Sequence, residues 1–141
     1  MKRRRDAASV LMLMPAGVLV VLLLGAISFD LSLVFLRQRQ ASSVAVDVAN
    51  DLASLAFDDA AFRATGDFVL DPGRVDELGR SLVDRSDLAG RVTDLDITVL
   101  DPTTVEVSLV VAVDYVFAKS IPGAADGTSV KAHATAVAAP G

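Results

Sequence analysis

Few side chains in this sequence could carry out chemistry, and nearly all of them are carboxylates. Its 141 residues include 18 acidic residues, a single histidine and no cysteine. His133 lies in an alternating stretch that is typical of a β-strand, and the chain has no second histidine or cysteine to complete a zinc site with it. The lack of cysteine also excludes disulfides, thiol catalysis and a lipid-modified cysteine.

Two aspartate pairs, Asp58-Asp59 and Asp94/Asp96, raise calcium binding as an alternative function. Neither pair lies in a loop with the ordered oxygen ligands and the glycine of a calcium loop, which makes this alternative weak. The sequence contains no HExxH, no GxSxG and no phosphate-binding glycine loop. We therefore expect a protein that is not an enzyme, with no cofactor, no metal site and no small-molecule substrate.

Asp30 is the carboxylate in the most unusual setting. It follows 23 residues without a formal charge, residues 7–29, and precedes another apolar stretch, residues 31–36. As a helix, the uncharged run would be about 34 Å long, enough to cross a bilayer. The Asp30 carboxylate is expected either to reach water at the outer membrane boundary or to pair with a cation on a neighbouring helix, and the first is favoured because hydration near the end of a span is cheap.

The distribution of charge predicts the orientation of this span. Four basic residues at positions 2–5 precede it, and only Arg37 and Arg39 follow closely, which favours a cytoplasmic N-terminus and an extracytoplasmic C-terminal domain on the inner membrane. From Gln38 onward the chain has 16 acidic and 8 basic residues, so nucleic acid is not an expected partner. The alternative is a signal peptide cleaved after Ser28, but length and continuity favour a retained anchor.

Beyond the span, the pattern changes to an amphipathic helix with two parallel rows on one face. Asp47, Asn50, Asp51, Ser54 and Asp58 lie on the opposite side. We expect this face to pack on the chain's own strands, or, as the bolder alternative, on equivalent helices in an assembly. The two rows are Val44, Val48, Leu52 and Leu55 beside Ala41, Ala45, Ala49 and Ala53.

The remaining sequence predicts a small α+β head. A second helix is expected at about residues 74–85, followed by strands around residues 95–99, 105–117 and 129–138 in an antiparallel meander. The domain organisation predicted from sequence has four parts: a basic N-terminus at 1–9, a transmembrane helix at 10–36, a projecting helix at 37–58 and an extracytoplasmic head at 59–141.

This order of parts is that of type IV pilin-like proteins, and residues 1–60 resemble the TadE/TadG-type proteins of the tight adherence (Flp) pilus system. The resemblance rests on an apolar run with Pro15, then Gly25 and Asp30, the RQRQ cluster and the alanine-rich continuation. The KAHATAVA segment near the C-terminus is similar more loosely. The resemblance implies a minor pilin-like or assembly component, with other pilin-like subunits and an inner-membrane assembly platform as partners.

The sequence departs from the TadE-type pattern before Pro15. Those proteins have a glycine before their cleavage point and a glutamate shortly after it, whereas this chain reads RRRDAASVLMLM, with Ser9 where the glutamate would lie. We therefore expect no prepilin processing and a permanently anchored protein, closer to the TadG-like members. The expected helix-packing residues are Pro15, Gly25, Asp30 and the two rows of the projecting helix apart from Leu55.

Overall fold

One very long helix organises the whole chain. The computed structural model describes residues 2–138, with side-chain surroundings for residues 13–138. Helix α1, Lys2–Leu55, has 54 residues and continues through Pro15 without interruption. Over residues 13–29 the helix leaves Leu, Val and Ile side chains exposed on every side. Within the described residues, this is the one helix long and apolar enough to cross a membrane.

Two short helices follow, each started by an aspartate. Asp58 accepts hydrogen bonds from the backbone N–H groups of Ala60 and Ala61 at 2.8 and 3.1 Å, which starts α2, Asp59–Thr65. Asp71 does the same for α3, Pro72–Asp84, where proline is suited to the first turn. The second predicted helix is therefore confirmed as α3, whereas α2 was not predicted.

The projecting helix ends earlier than the sequence predicts, at Leu55 instead of residue 58. Asp58 cannot continue α1 because its backbone is extended and its side chain caps α2. Two backbone hydrogen bonds join the segment after α1 to the segment before α3. The Asp58 N–H donates to the Val69 carbonyl at 2.7 Å, and the Asp71 N–H donates to the Ala56 carbonyl at 2.9 Å.

Three antiparallel strands complete the head, as predicted. They are β1, Val92–Asp101, β2, Thr104–Asp114, and β3, Gly127–Val137, in the order β1-β2-β3. In the central register Ile97 pairs with Val107, which pairs with Ala134. The chain thus has the predicted α+β layout of a long helix, a second helix and a three-strand meander.

The core lies between this sheet and the second half of α1. The helix packs on β2 and β3, while α3 packs on β1 and on α1. Small side chains meet on both sides of the helix–β3 contact, which lets the backbones approach closely. The buried residues there are Ala41, Ala45 and Ala49 on the helix, Ala132, Ala134 and Ala136 on β3, and Val105, Val107, Leu109, Val111 and Val113 on β2.

Strand β2 was predicted to continue to Phe117, and this is wrong, because pairing with β3 ends at Asp114 and Gly127. The Tyr115 N–H still crosses to the Asp126 carbonyl at 2.9 Å. Beyond it, the backbone N–H groups no longer face another strand. They turn towards α1 and open the β2–β3 loop, residues 115–126.

Candidate functional site: the Asp30 junction

Asp30 is the one buried charged residue among those whose surroundings the structure describes. Its side chain lies in α1 between the exposed apolar half of the helix and the half that packs on the sheet, and it is 5% exposed. A buried carboxylate is costly unless donors surround it. The structure supplies these donors from a segment more than eighty residues further along the chain.

The donors are three consecutive backbone N–H groups of the β2–β3 loop. Val116 N–H donates to Asp30 Oδ1 at 2.8 Å, and Ala118 N–H donates to Oδ2 at 2.9 Å. Phe117 N–H lies between them, 3.2 Å from each oxygen. The carboxylate therefore satisfies three backbone donors, and we call this arrangement the Asp30 junction.

The local backbone explains why this loop offers three N–H groups to one side chain. A short 3₁₀ turn at Ala118–Ser120 follows, and the first N–H groups of such a turn have no partner within it. An aspartate placed there acts as a cap, although it comes from another element. The ring of Phe117 also packs edge-to-face on Phe29, with centroids 5.4 Å apart, so an apolar contact adjoins the hydrogen bonds.

The sequence predicted either that the Asp30 carboxylate reaches water or that it pairs with a cation on a neighbouring helix, whereas in the structure it accepts hydrogen bonds from the loop backbone. The expectation of a carboxylate that reaches water is wrong, because the loop backbone covers it. Each oxygen already accepts two N–H contacts from the same chain. A cation on a neighbouring helix stays a prediction. The loop was not predicted as the partner of Asp30, since nothing in residues 115–118 marks a segment that donates to a distant aspartate.

The other residues predicted for helix packing divide into two groups along α1. Pro15 and Gly25 lie exposed in the apolar half, and a Cβ added to Gly25 would meet no atom within 4 Å. Val44 is half-buried against the core, whereas Leu55, which was expected in the same row, is exposed. The rest are buried against the chain's own elements: Ala41, Ala45, Val48, Ala49, Leu52 and Ala53. Contacts of any of them with another chain remain a prediction.

A basic groove adjoins the Asp30 junction at the same end of the head. Arg37, Arg91 and Lys119 line it together with Leu33 and Tyr115, the only tyrosine of the chain. Arg91 also forms an exposed ion pair with Asp114, with Nη1 and Oδ2 3.4 Å apart. Three cations therefore converge on one end of an otherwise acidic domain.

The solvent face of the sheet brings together residue types that serve in catalysis, but in the wrong order. Asp96, Ser108 and His133 are cross-strand neighbours in one row. The serine lies in the middle, so the aspartate cannot orient the histidine as a catalytic triad requires. Among the described residues, no group of three histidine or acidic side chains is placed to hold a metal ion.

Two carboxyl groups of the head have lowered pKa values with structural causes. The guanidinium of Arg80 donates hydrogen bonds to Asp76 one helical turn away, and this lowers the pKa of Asp76. Hydrogen bonds from the Thr104 side chain, and then from the Thr103 N–H, lower the pKa of Asp101 in the β1–β2 turn. Both carboxylates stabilise local structure, and neither adjoins the Asp30 junction.

No family model matches the chain, and neither a curated protein nor a solved structure matches it.

Proposed function

We propose that this protein is a membrane-anchored, non-catalytic component of a Tad/Flp-type pilus, as a minor pilin-like subunit or an assembly factor. The observation that carries the proposal is the division of α1: the large apolar side chains of residues 13–28 are exposed, whereas the second half of the helix forms part of the core of the head. A fully apolar helix surface is stable in lipid and not in water. The basic N-terminus is then cytoplasmic, and the head faces outward from the inner membrane.

Contacts with other subunits and with an assembly platform would involve the apolar half of α1 more than its projecting half. In the projecting half, the apolar rows already pack on the chain's own sheet. The opposite side carries exposed polar side chains such as Asp47, Asn50 and Asp51. In the apolar half, Gly25 and Pro15 lie on the surface, where a neighbouring helix could approach closely.

The continuity of α1 supports a retained anchor. The helix runs through Ser28 without a break, and the Ser28 hydroxyl donates to the Leu24 carbonyl at 2.8 Å. The next turn is reinforced in the same way, because the Ser32 hydroxyl donates to the Ser28 carbonyl at 2.7 Å. A continuous helix is a poor substrate for cleavage after Ser28, since the hydrogen-bonded backbone would first have to open.

A second candidate function is an exported binding module released by that cleavage. The favouring observation is that Asp30 and the entire buried core, from Ala41 to Ala138, lie after Ser28. The head would therefore keep its packing and the Asp30 junction without the anchor. Its solvent-facing sheet or its acidic helix face would then be the binding surface.

The N-terminal sequence and mass of the protein from fractionated native cells test both functions. An intact N-terminus in the membrane fraction would support the anchored component. Mature protein starting at Phe29 in the soluble exported fraction would refute it in favour of the binding module. A new N-terminus before Pro15 would instead indicate processing of the pilin type and overturn permanent anchoring.

A Gly25→Leu variant tests whether the apolar half of α1 contacts other subunits. The open space around Gly25 predicts an unchanged monomer, but a bulky side chain there should reduce cross-linking to partner subunits and the number of surface fibres. Gly90→Leu is the matched control, because Gly90 also has open space but lies in the head. Unchanged cross-linking and fibre number in the Gly25 variant would argue against assembly through this part of the helix.

A further inference from the structure

We propose that the β2–β3 loop, residues 115–126, is a second membrane-contacting element that rests on the outer surface of the bilayer. Val116, Phe117 and Ile121 would lie at the boundary between acyl chains and headgroups. The basic groove defined by Arg37, Arg91 and Lys119 would face lipid phosphates. This inference rests on the membrane anchoring in the proposed function and adds a defined contact between the head and the lipid.

The length of α1 places the loop at the height of the outer membrane boundary. At 1.5 Å per residue, Asp30 lies about 36 Å along the helix from Asp6, where the charged N-terminal residues end. A bilayer has a hydrocarbon core of about 30 Å and a total thickness of about 40–45 Å. Asp30 therefore lies in the outer headgroup region, and the three hydrogen bonds hold the loop at that height.

The exposed side chains of the loop are those of a lipid-contacting segment. Val116, Phe117 and Ile121 are 44%, 46% and 51% exposed, although they are large and apolar. They continue the exposed apolar surface of α1, where Phe29 contacts Phe117. An apolar cluster continuous with a membrane span is stabilised when it enters the interface rather than water.

The charges around the loop complement the lipid phosphates. Although acidic residues outnumber basic ones two to one from Gln38 onward, the groove next to this loop is lined by three cations and one carboxylate, Asp114, which pairs with Arg91. Arg37 lies about 10 Å above Asp30 along the helix axis, on the water side of the headgroups, and its long side chain can extend back towards the phosphates. Tyr115 lines the same groove, and tyrosine is enriched at membrane–water interfaces.

The Asp30 junction also solves the problem of placing irregular backbone near lipid. Unpaired N–H groups are costly where water is scarce, and so is an unpaired carboxylate. Here the N–H groups of Val116, Phe117 and Ala118 all donate to the Asp30 carboxylate, so that neither the donors nor the carboxylate is buried unpaired. A loop that stayed in bulk water would need no such partner.

Because the chain contains no tryptophan, single-tryptophan variants report the depth of each position directly. We would reconstitute the full chain, with Ile121→Trp, into vesicles of phosphatidylcholine and phosphatidylglycerol containing lipids brominated near the headgroup end of the acyl chain. The matched control is Leu100→Trp, since Leu100 is 55% exposed but lies at the far end of the head. Leu22→Trp reports on the span itself.

The expected result for Ile121→Trp is blue-shifted emission and a loss of intensity with brominated lipid, while Leu100→Trp shows neither. Quenching of Leu22→Trp with no difference between Ile121→Trp and Leu100→Trp would overturn the loop contact and leave the anchor intact. Absence of quenching in Leu22→Trp would instead refute the membrane anchoring on which the proposed function depends.

The contribution of charge is tested by reversing one cation in the Ile121→Trp background. Lys119→Glu should reduce the quenching, because a carboxylate would face the phosphates. Lys131→Glu is the control with the same change in net charge, since Lys131 is exposed on β3 away from the groove. Equal quenching in the two variants would overturn the phosphate contact.

Discussion

Replacement of Asp30 by alanine should release the β2–β3 loop without unfolding the head. The substitution removes both acceptor oxygens and leaves the N–H groups of Val116, Phe117 and Ala118 without their partner. A hydrogen bond to a charged acceptor typically slows local opening by about tenfold to hundredfold, because its free energy exceeds that of a neutral one. We therefore expect these three amides to exchange with deuterium about tenfold to hundredfold faster.

The asparagine and glutamate variants of Asp30 distinguish the effect of the negative charge from the effect of the positions of the two acceptor oxygens. Asp30→Asn retains one acceptor oxygen, but its NH₂ group would face backbone donors, so exchange should approach that of the alanine variant. Asp30→Glu keeps the charge and both oxygens but adds a methylene, which displaces the oxygens from the 2.8–3.2 Å positions seen in the structure. Its exchange should be intermediate.

Hydrogen–deuterium exchange of the full chain in nanodiscs, resolved to single amides, measures these rates. Asp51→Ala is the matched control, because Asp51 is an exposed aspartate on the same helix. The Leu109 amide, in the middle of β2, should keep its protection in every variant. Unchanged exchange at Val116, Phe117 and Ala118 in Asp30→Ala would refute the junction as the element that holds the loop.

Three further changes test the head. Leu52→Ala empties a fully buried position and should destabilise the head by about 2–5 kcal/mol in chemical denaturation, whereas the exposed Leu55→Ala should cost less than about 0.5 kcal/mol. Gly127→Ala should lower the melting temperature and unpair the end of β3, because the added Cβ would lie 2.5 Å from a backbone carbonyl of β2. Asp76→Asn should slightly lower the melting temperature at neutral pH, because it removes the carboxylate that binds Arg80. This difference between the variant and the parent protein should vanish as the pH falls below about 4 and through the lowered pKa of Asp76, since protonation of Asp76 then weakens the same bond in the parent protein.

Those parts of the fold that depend on local pattern could be predicted from the sequence. The continuous apolar run and the alanine row specify α1, and strict alternation specifies β2 and β3, because each pattern matches the repeat of one regular structure. Helix α2 was missed because DAAFRAT is too short to show periodicity and depends on the Asp58 cap. The end of β2 was missed because Tyr115 and Phe117 continue the apolar alternation.

The Asp30 junction could not be predicted, because its partners are backbone groups with no side-chain signature. Any residue except proline offers an N–H group, so residues 116–118 carry no mark of their role. The position of Asp30 at the end of an apolar run favoured a carboxylate that reaches water, and this expectation missed its burial beneath the loop. Which segment supplied that environment depended on where β2 ended and how the loop folded back, and both are tertiary properties.

The contacts along α1 imply that the head cannot turn independently of the apolar half of this helix. Asp30 holds the β2–β3 loop, Gln38 Nε2 donates to the Lys131 carbonyl of β3 at 2.7 Å, and the Ala56 carbonyl accepts the Asp71 N–H. These hydrogen bonds are distributed over about 39 Å along the helix axis, and the buried alanine row packs on the sheet between them. A single contact would allow the head to rotate relative to α1, whereas three contacts at different positions along the helix fix its rotational orientation. Whatever sets the rotation of α1 about its own axis therefore also sets the direction in which the solvent face of the sheet points.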